Sequence, residues 1–163
     1  MHEHFMHWFY AGFDFKAYDW LDLGFWYRRV REKSASGGWD TERRPMLDLV
    51  FKTKINKFNL SNRCRFERRD YKGPAEDDFR YRNEIKLVPP VSWTKFKITP
   101  YIEDELFYGF NEDKLGMHWL TVGLSAGITK NIKTGISYRF QDVNKPGGWE
   151  SKNVLGTTVI FLF

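Results

Sequence analysis

The sequence predicts an all-β fold, an up-and-down antiparallel β-barrel of the bilayer-spanning kind, and three observations carry that expectation. Apolar and polar residues alternate with period two in segment after segment, whereas no 3.6-residue periodicity persists long enough for a helix. Phe, Tyr and Trp make up 18% of the 163 residues, and flat rings pack better on a pleated surface than on a helix. Residues 63–69 read RCRFERR, which lines up Arg63, Arg65, Glu67 and Arg69 on one strand face against Leu60, Cys64 and Phe66 on the other.

Nine strands follow from the alternation. The first, about 5–17, sets Phe9, Ala11, Phe13 and Phe15 against Tyr10, Gly12, Asp14 and Lys16. The second, about 21–32, sets Leu21, Leu23, Phe25 and Tyr27 against Asp22, Gly24, Trp26 and Arg28. A third near 46–55 opposes Leu47, Leu49, Phe51 and Ile55 to Asp48, Lys52 and Lys54, and the fourth contains 63–69. The fifth, about 79–88, opposes Phe79, Tyr81, Ile85 and Leu87 to Arg80, Arg82, Glu84 and Lys86. In the sixth, about 96–109, Ile98, Ile102 and Leu106 oppose Thr99, Tyr101, Glu103 and Glu105. The seventh runs through Leu120–Ile128 with Thr121, Gly123, Ser125 and Gly127 on the polar face, and the eighth through Gly135–Gln141 with Gly135, Ser137, Arg139 and Gln141 there. The last, 153–163, carries Leu155, Val159, Phe161 and Phe163 on one face. Pro100 and Asp104 fit the sixth strand badly, and a β-bulge between them is expected to repair both.

The alternation alone also suits a soluble barrel with one wet face. Small residues on the polar face of the seventh and eighth strands favour a narrow interior in which they leave room for long arginines. Trp20, Trp93 and Phe96 belong near one rim, where aromatic girdles lie, and a terminal VIFLF is unlike the charged edges of soluble sheets. Connections expected to be short (AYDW, NKFN, PPVSWTK, TKNIK) alternate with longer polar ones (KSASGGWDTERRP, KGPAEDD, NEDKLG, NKPGGWESK), as in membrane barrels. Together these place the arginines inward, and that facing is strongly fixed, because a one-residue slip would put Arg63 and Arg65 into lipid at about 2–4 kcal/mol each near the midplane. The expected interior network joins Arg63, Arg65, Arg69, Arg80, Arg82 and Arg139 with Glu67, Glu84, Glu103 and Glu105. The competing fold is a soluble barrel whose apolar faces enclose a hydrophobic ligand.

Other constellations point to less. The 26 basic and 21 acidic residues are interleaved, leaving a net charge of +5 without a basic tail. In FRYRNEIK rings and cations alternate between faces, whereas nucleic-acid stacking platforms need them together, so no nucleic-acid partner is expected. One cysteine, Cys64, excludes an internal disulfide. His2, His4 and His7 with Glu3 resemble metal ligands but sit at a chain end, so neither metal nor cofactor is expected. His118 and Ser125 lie seven apart on one strand and face opposite ways, so with Glu105 they make no hydrolase triad and no enzyme is expected.

The segments GFWYRR (24–29), ERRPMLDL (42–49), LSNRCRFERR (60–69), FRYRNEI (79–85), PYIEDELF (100–107) and NVLGT (153–157) resemble a bacterial outer-membrane β-barrel family known as domain of unknown function 2490. The order and spacing agree over most of the chain, and Trp119 stands where the pattern has an arginine. The resemblance implies the outer membrane of a Gram-negative bacterium, a single barrel domain over 1–163, and no known activity. It also implies a signal peptide and further strands ahead of this chain. Strand parity agrees, since one or three more strands give the even totals of ten or twelve. Expected partners are outer-membrane lipid and lipopolysaccharide, with Arg68 near their phosphates, and the barrel-assembly machinery through the strand ending at Phe163.

Overall fold

Alternating sequences without a helical stripe pair into sheet, and here they make one. The computed structural model describes residues 6–33, 37–72 and 76–161. Nine antiparallel strands follow one another in a single sheet: β1 (Met6–Tyr18), β2 (Leu21–Lys33), β3 (Trp39–Ile55), β4 (Phe58–Lys72), β5 (Asp78–Val88), β6 (Thr99–Gly109), β7 (Lys114–Gly127), β8 (Ile132–Lys145) and β9 (Gly148–Phe161). Each strand pairs only with its sequence neighbours, and the sheet curls into a half-barrel.

The curl is toward the charged face. Tyr10 on β1 accepts a hydrogen bond from Arg65 Nη2 on β4 at 3.3 Å, across two intervening strands spaced at about 4.8 Å, which brings side chains together only on a concave surface. Burial follows the same sense. Arg65 is 7% exposed and Arg82 9%, whereas Phe66 is 44% exposed on the opposite, convex face. The apolar side chains therefore stand outside the curve instead of enclosing a cavity. A convex apolar hollow of about 620 Å³ lies between β5 and β9, lined by residues such as Leu87, Ile102, Leu124, Ile136 and Leu155.

The strands are longer than expected, and this changes the rims. β3 begins at Trp39, not near 46, because WDTERRP keeps the alternation and pairs in register with β2, Lys33 opposite Trp39. β7 likewise begins at Lys114, and β8 reaches Lys145 opposite Gly148. The connections at that rim shrink to 34–38, 73–77, 110–113 and 146–147, and the longest connection, 89–98, lies on the rim expected to have short ones. The expected contrast of long and short loops is thus replaced by paired ribbons, in which the backbone satisfies its own hydrogen bonds. On the other rim Asn56, at φ 55°, supplies the left-handed residue of the tight β3–β4 turn. The expected start of β6 at 96 is also displaced, since Trp93 and Ile98 form an isolated bridge ahead of it.

The bulge expected between Pro100 and Asp104 is absent, because β6 pairs evenly with β7 from Thr99 to Phe107 and the register shifts only between Phe107 and Tyr108, opposite Gly116. Pro100 needs no bulge. The β5–β6 ladder ends at Ile102, so no β5 partner waits for the missing N–H. Asp104 remains on the convex face and is met there by His118 Nε2 at 3.0 Å. Gly123, one of the small residues expected to leave room for arginines, instead admits a neighbouring aromatic: a Cβ there would collide with the ring of Tyr101, as one at Gly12 would with that of Trp26.

Candidate functional site

Period two puts the charges of β3 to β6 on the concave face, but register brings like charges opposite one another. Arg65 faces Arg82, and Glu84 faces Glu105, an arrangement that destabilises a bare pair. Each is relieved by a neighbour. Arg65 makes two bonds of 2.6 Å to the two carboxylate oxygens of Asp48 on β3. Arg82 donates to Glu67 at 2.9 Å and to Glu105 at 3.0 and 2.7 Å. Arg63 joins Glu84 at 2.5 Å and Glu105 at 2.9 Å, so the two glutamates share a cation. Planar forked guanidinium groups suit such shared carboxylates.

Glu67 is the centre of the network. Its side chain is fully buried, with Arg80 at 2.5 Å, Arg82 at 2.9 Å and Arg44 at 3.9 Å. Below it Phe107, 1% exposed, lies 4.4 Å from the Arg82 guanidinium and 5.3 Å from that of Arg80. Trp119 packs obliquely on Phe107 at 4.3 Å, and the Arg139 guanidinium lies 4.6 Å from its ring centre. Trp119 thus extends the network to β8 through its ring, where the sequence pattern suggested an arginine.

Several partners differ from those expected. Arg69 takes Glu42 of β3 at 3.0 Å and Asp78 at 3.7 Å, and Glu103 takes Lys86 at 2.6 Å instead of an arginine. Sequence reasoning left out Asp48, Glu42 and Arg44, although Asp48 shows the right parity; treating WDTERRP as a loop hid the other two. It also left out Arg28, whose guanidinium lies 5.2 Å from the Trp8 ring and whose Nε is buried without a hydrogen-bond partner. Among the described residues neither Arg28 nor Arg139 has a carboxylate in ion-pair range. Arg139 donates instead to Thr121 Oγ1 at 3.0 Å.

The remaining candidates do not assemble. His118 lies between Asp104 and Asp142, at 3.0 and 3.9 Å, on the convex face, while Ser125 donates to the Thr99 carbonyl and Glu105 lies on the concave side. His2, His4 and Phe163 fall outside the described residues, and His7 packs its ring at 5.0 Å from Trp39. Among the described residues no cluster of His, Cys, Asp or Glu has metal-binding geometry. Cys64 Sγ sits 3.2 Å from the Tyr81 hydroxyl on the convex face. At the tight-turn rim Lys16 meets Asp19 at 2.6 Å, and that hydrogen bond and charge hold the Asp19 carboxyl below its usual range. Chemically the concave face is a nearly neutralised set of fixed charges, suited to holding strands together and to presenting its two unmatched guanidinium groups.

A family model matches residues 2–152, which takes in β1 to β8 and the start of β9. The chain belongs to the family described as Protein of unknown function (DUF2490). The whole DUF2490 charge network, from Arg28 to Arg139, falls within the matched residues. No curated protein and no solved structure matches the chain.

Proposed function

We propose that the protein is a membrane-embedded barrel of the Gram-negative outer membrane, a structural element or small pore without enzymatic activity, whose polar concave face lines the interior. The observation that supports this most is the inverted polarity: the buried side chains are dominated by Arg, Glu and Asp, while Phe13, Phe25, Phe66, Phe140 and Leu155 stand exposed on the convex side. In water such a face leaves hundreds of Å² of apolar surface unburied, at about 25 cal/mol per Å². Against acyl chains the same face is at no disadvantage. Strands of 11 to 17 residues meet or exceed the roughly 9–11 needed to cross a bilayer, and the polar ends of the longer ones would project beyond it. Insertion would proceed through the barrel-assembly machinery, with β9 as its substrate.

Fractionation tests this reading. The protein should resist alkaline extraction of membranes, come into solution only with detergent, and migrate differently on gels before and after heating. Recovery in the soluble fraction without detergent would remove the proposal. Arg28 and Arg139 favour a second reading on the same barrel, passage of small anions, since interior cations without carboxylates attract them.

A further inference from the structure

Proline has no N–H to give a ladder, and the convex face opens where β3 carries one. The β3–β4 pairing runs from Arg43 opposite Asp70 directly to Met46 opposite Glu67, with no pair at Arg44 and Pro45. An apolar groove of about 300 Å³ sits at this break, walled by Pro45, Leu47, Phe66, Phe79 and Phe110. It lies toward the rim of the β4–β5 and β6–β7 connections, where Phe110 N–H is bonded to the Phe79 carbonyl at 2.9 Å.

The charges above the groove are cationic. Arg29 and Arg43 are exposed, lie directly opposite each other in the β2–β3 register, and make no hydrogen bond or ion pair among the described residues. Asp70, which faces Arg43, is instead bonded to Arg68 at 2.6 Å. Arg31, one step further along the same face, lies 5.1 Å from the Trp39 ring with its Nε unpartnered. Opposed guanidinium groups repel, and an anion between them converts that repulsion into two charge-assisted contacts.

We propose that this groove and its guanidinium groups form a site for an acyl lipid bearing a phosphate monoester, with a chain along Pro45, Leu47 and Phe66 and the phosphate between Arg29 and Arg43. The assignment rests on the membrane reading above. Arg68, expected from the sequence to make this contact, is already neutralised by Asp70 and by Asp77 at 3.8 Å and forms the groove wall.

Native mass spectrometry of the full chain in neutral detergent micelles tests it, with lipid A as the phosphorylated probe and dephosphorylated lipid A and inorganic phosphate as references. Wild type should retain lipid A at least tenfold more tightly than the dephosphorylated form. The Arg29→Gln/Arg43→Gln double variant should lose that preference, Leu47→Trp should weaken both lipids by filling the groove, and Lys57→Gln, exposed in the β3–β4 turn at the opposite rim, should change little. These four positions are not deeply buried, and heat-shifted gel mobility verifies folding. Equal retention of the two lipids by wild type, an unchanged preference in the double variant, or inorganic phosphate binding as tightly as lipid A would each overturn the site. Because binding is read in micelles, a protein that is not membrane-integral but prefers lipid A would sink only the membrane reading, and an integral protein indifferent to phosphate would sink only the site.

Discussion

A buried carboxylate is stable only while its cations stay, and Glu67 has three of them within 4 Å. Replacing it by Gln leaves Arg80 and Arg82 desolvated around a neutral group, so Glu67→Gln should destabilise the fold by about 3–5 kcal/mol. A lowered midpoint of guanidinium unfolding in detergent would register it. By contrast, Lys145 and Glu150 form an exposed pair, and Glu150→Gln should leave the same midpoint almost unchanged. Equal effects at the two sites would mean that the concave face is wet. Parity placed Glu67 among the arginines from sequence alone. Which arginines it holds was not legible, because long guanidinium side chains choose among carboxylates two strands away, as Arg63 does in reaching Glu105.

Between strands, the glycines separate two kinds of close approach. A Cβ on Gly12 would stand 2.3 Å from the Phe25 carbonyl oxygen, and backbone does not yield, so Gly12→Ala should loosen β1–β2 by about 1–3 kcal/mol. On Gly123 the obstacle is only the Tyr101 ring, at 2.4 Å, which can swing away. Tyr101→Ala should therefore restore Gly123→Ala to near its own stability, whereas Trp26→Ala should fail to rescue Gly12→Ala; double-mutant cycles of unfolding free energy would read this. Rescue of both would put the strain in the side chains alone. Strand existence and facing were readable throughout, yet the start of β3 was not, since KSASGGWDTERRP mixes turn residues with a polar strand end. The even register through Pro100 was equally hidden, because it depends on where the neighbouring strand stops.

For the molecule as a whole, Arg28 and Arg139, without a carboxylate in range among the described residues, would bias the interior of the proposed barrel toward anions. If the barrel conducts, reversal potentials in a salt gradient across a planar bilayer should show anion preference, and Arg28→Gln/Arg139→Gln should move them toward zero. Cation preference in wild type would defeat the anion reading while leaving a conducting barrel standing. The chain's net charge of +5 gives no such localisation, being spread over both faces and both rims.

Alternation by itself determined that the described residues are all-β, how many strands they form, and which of them share a face, because side chains on a strand have no choice but to alternate. Curvature decided the rest. Only the bending of the sheet made the charged face the inside, brought Tyr10 to Arg65, and set the rims and the Pro45 opening, since these depend on distances between strands that are far apart in the sequence.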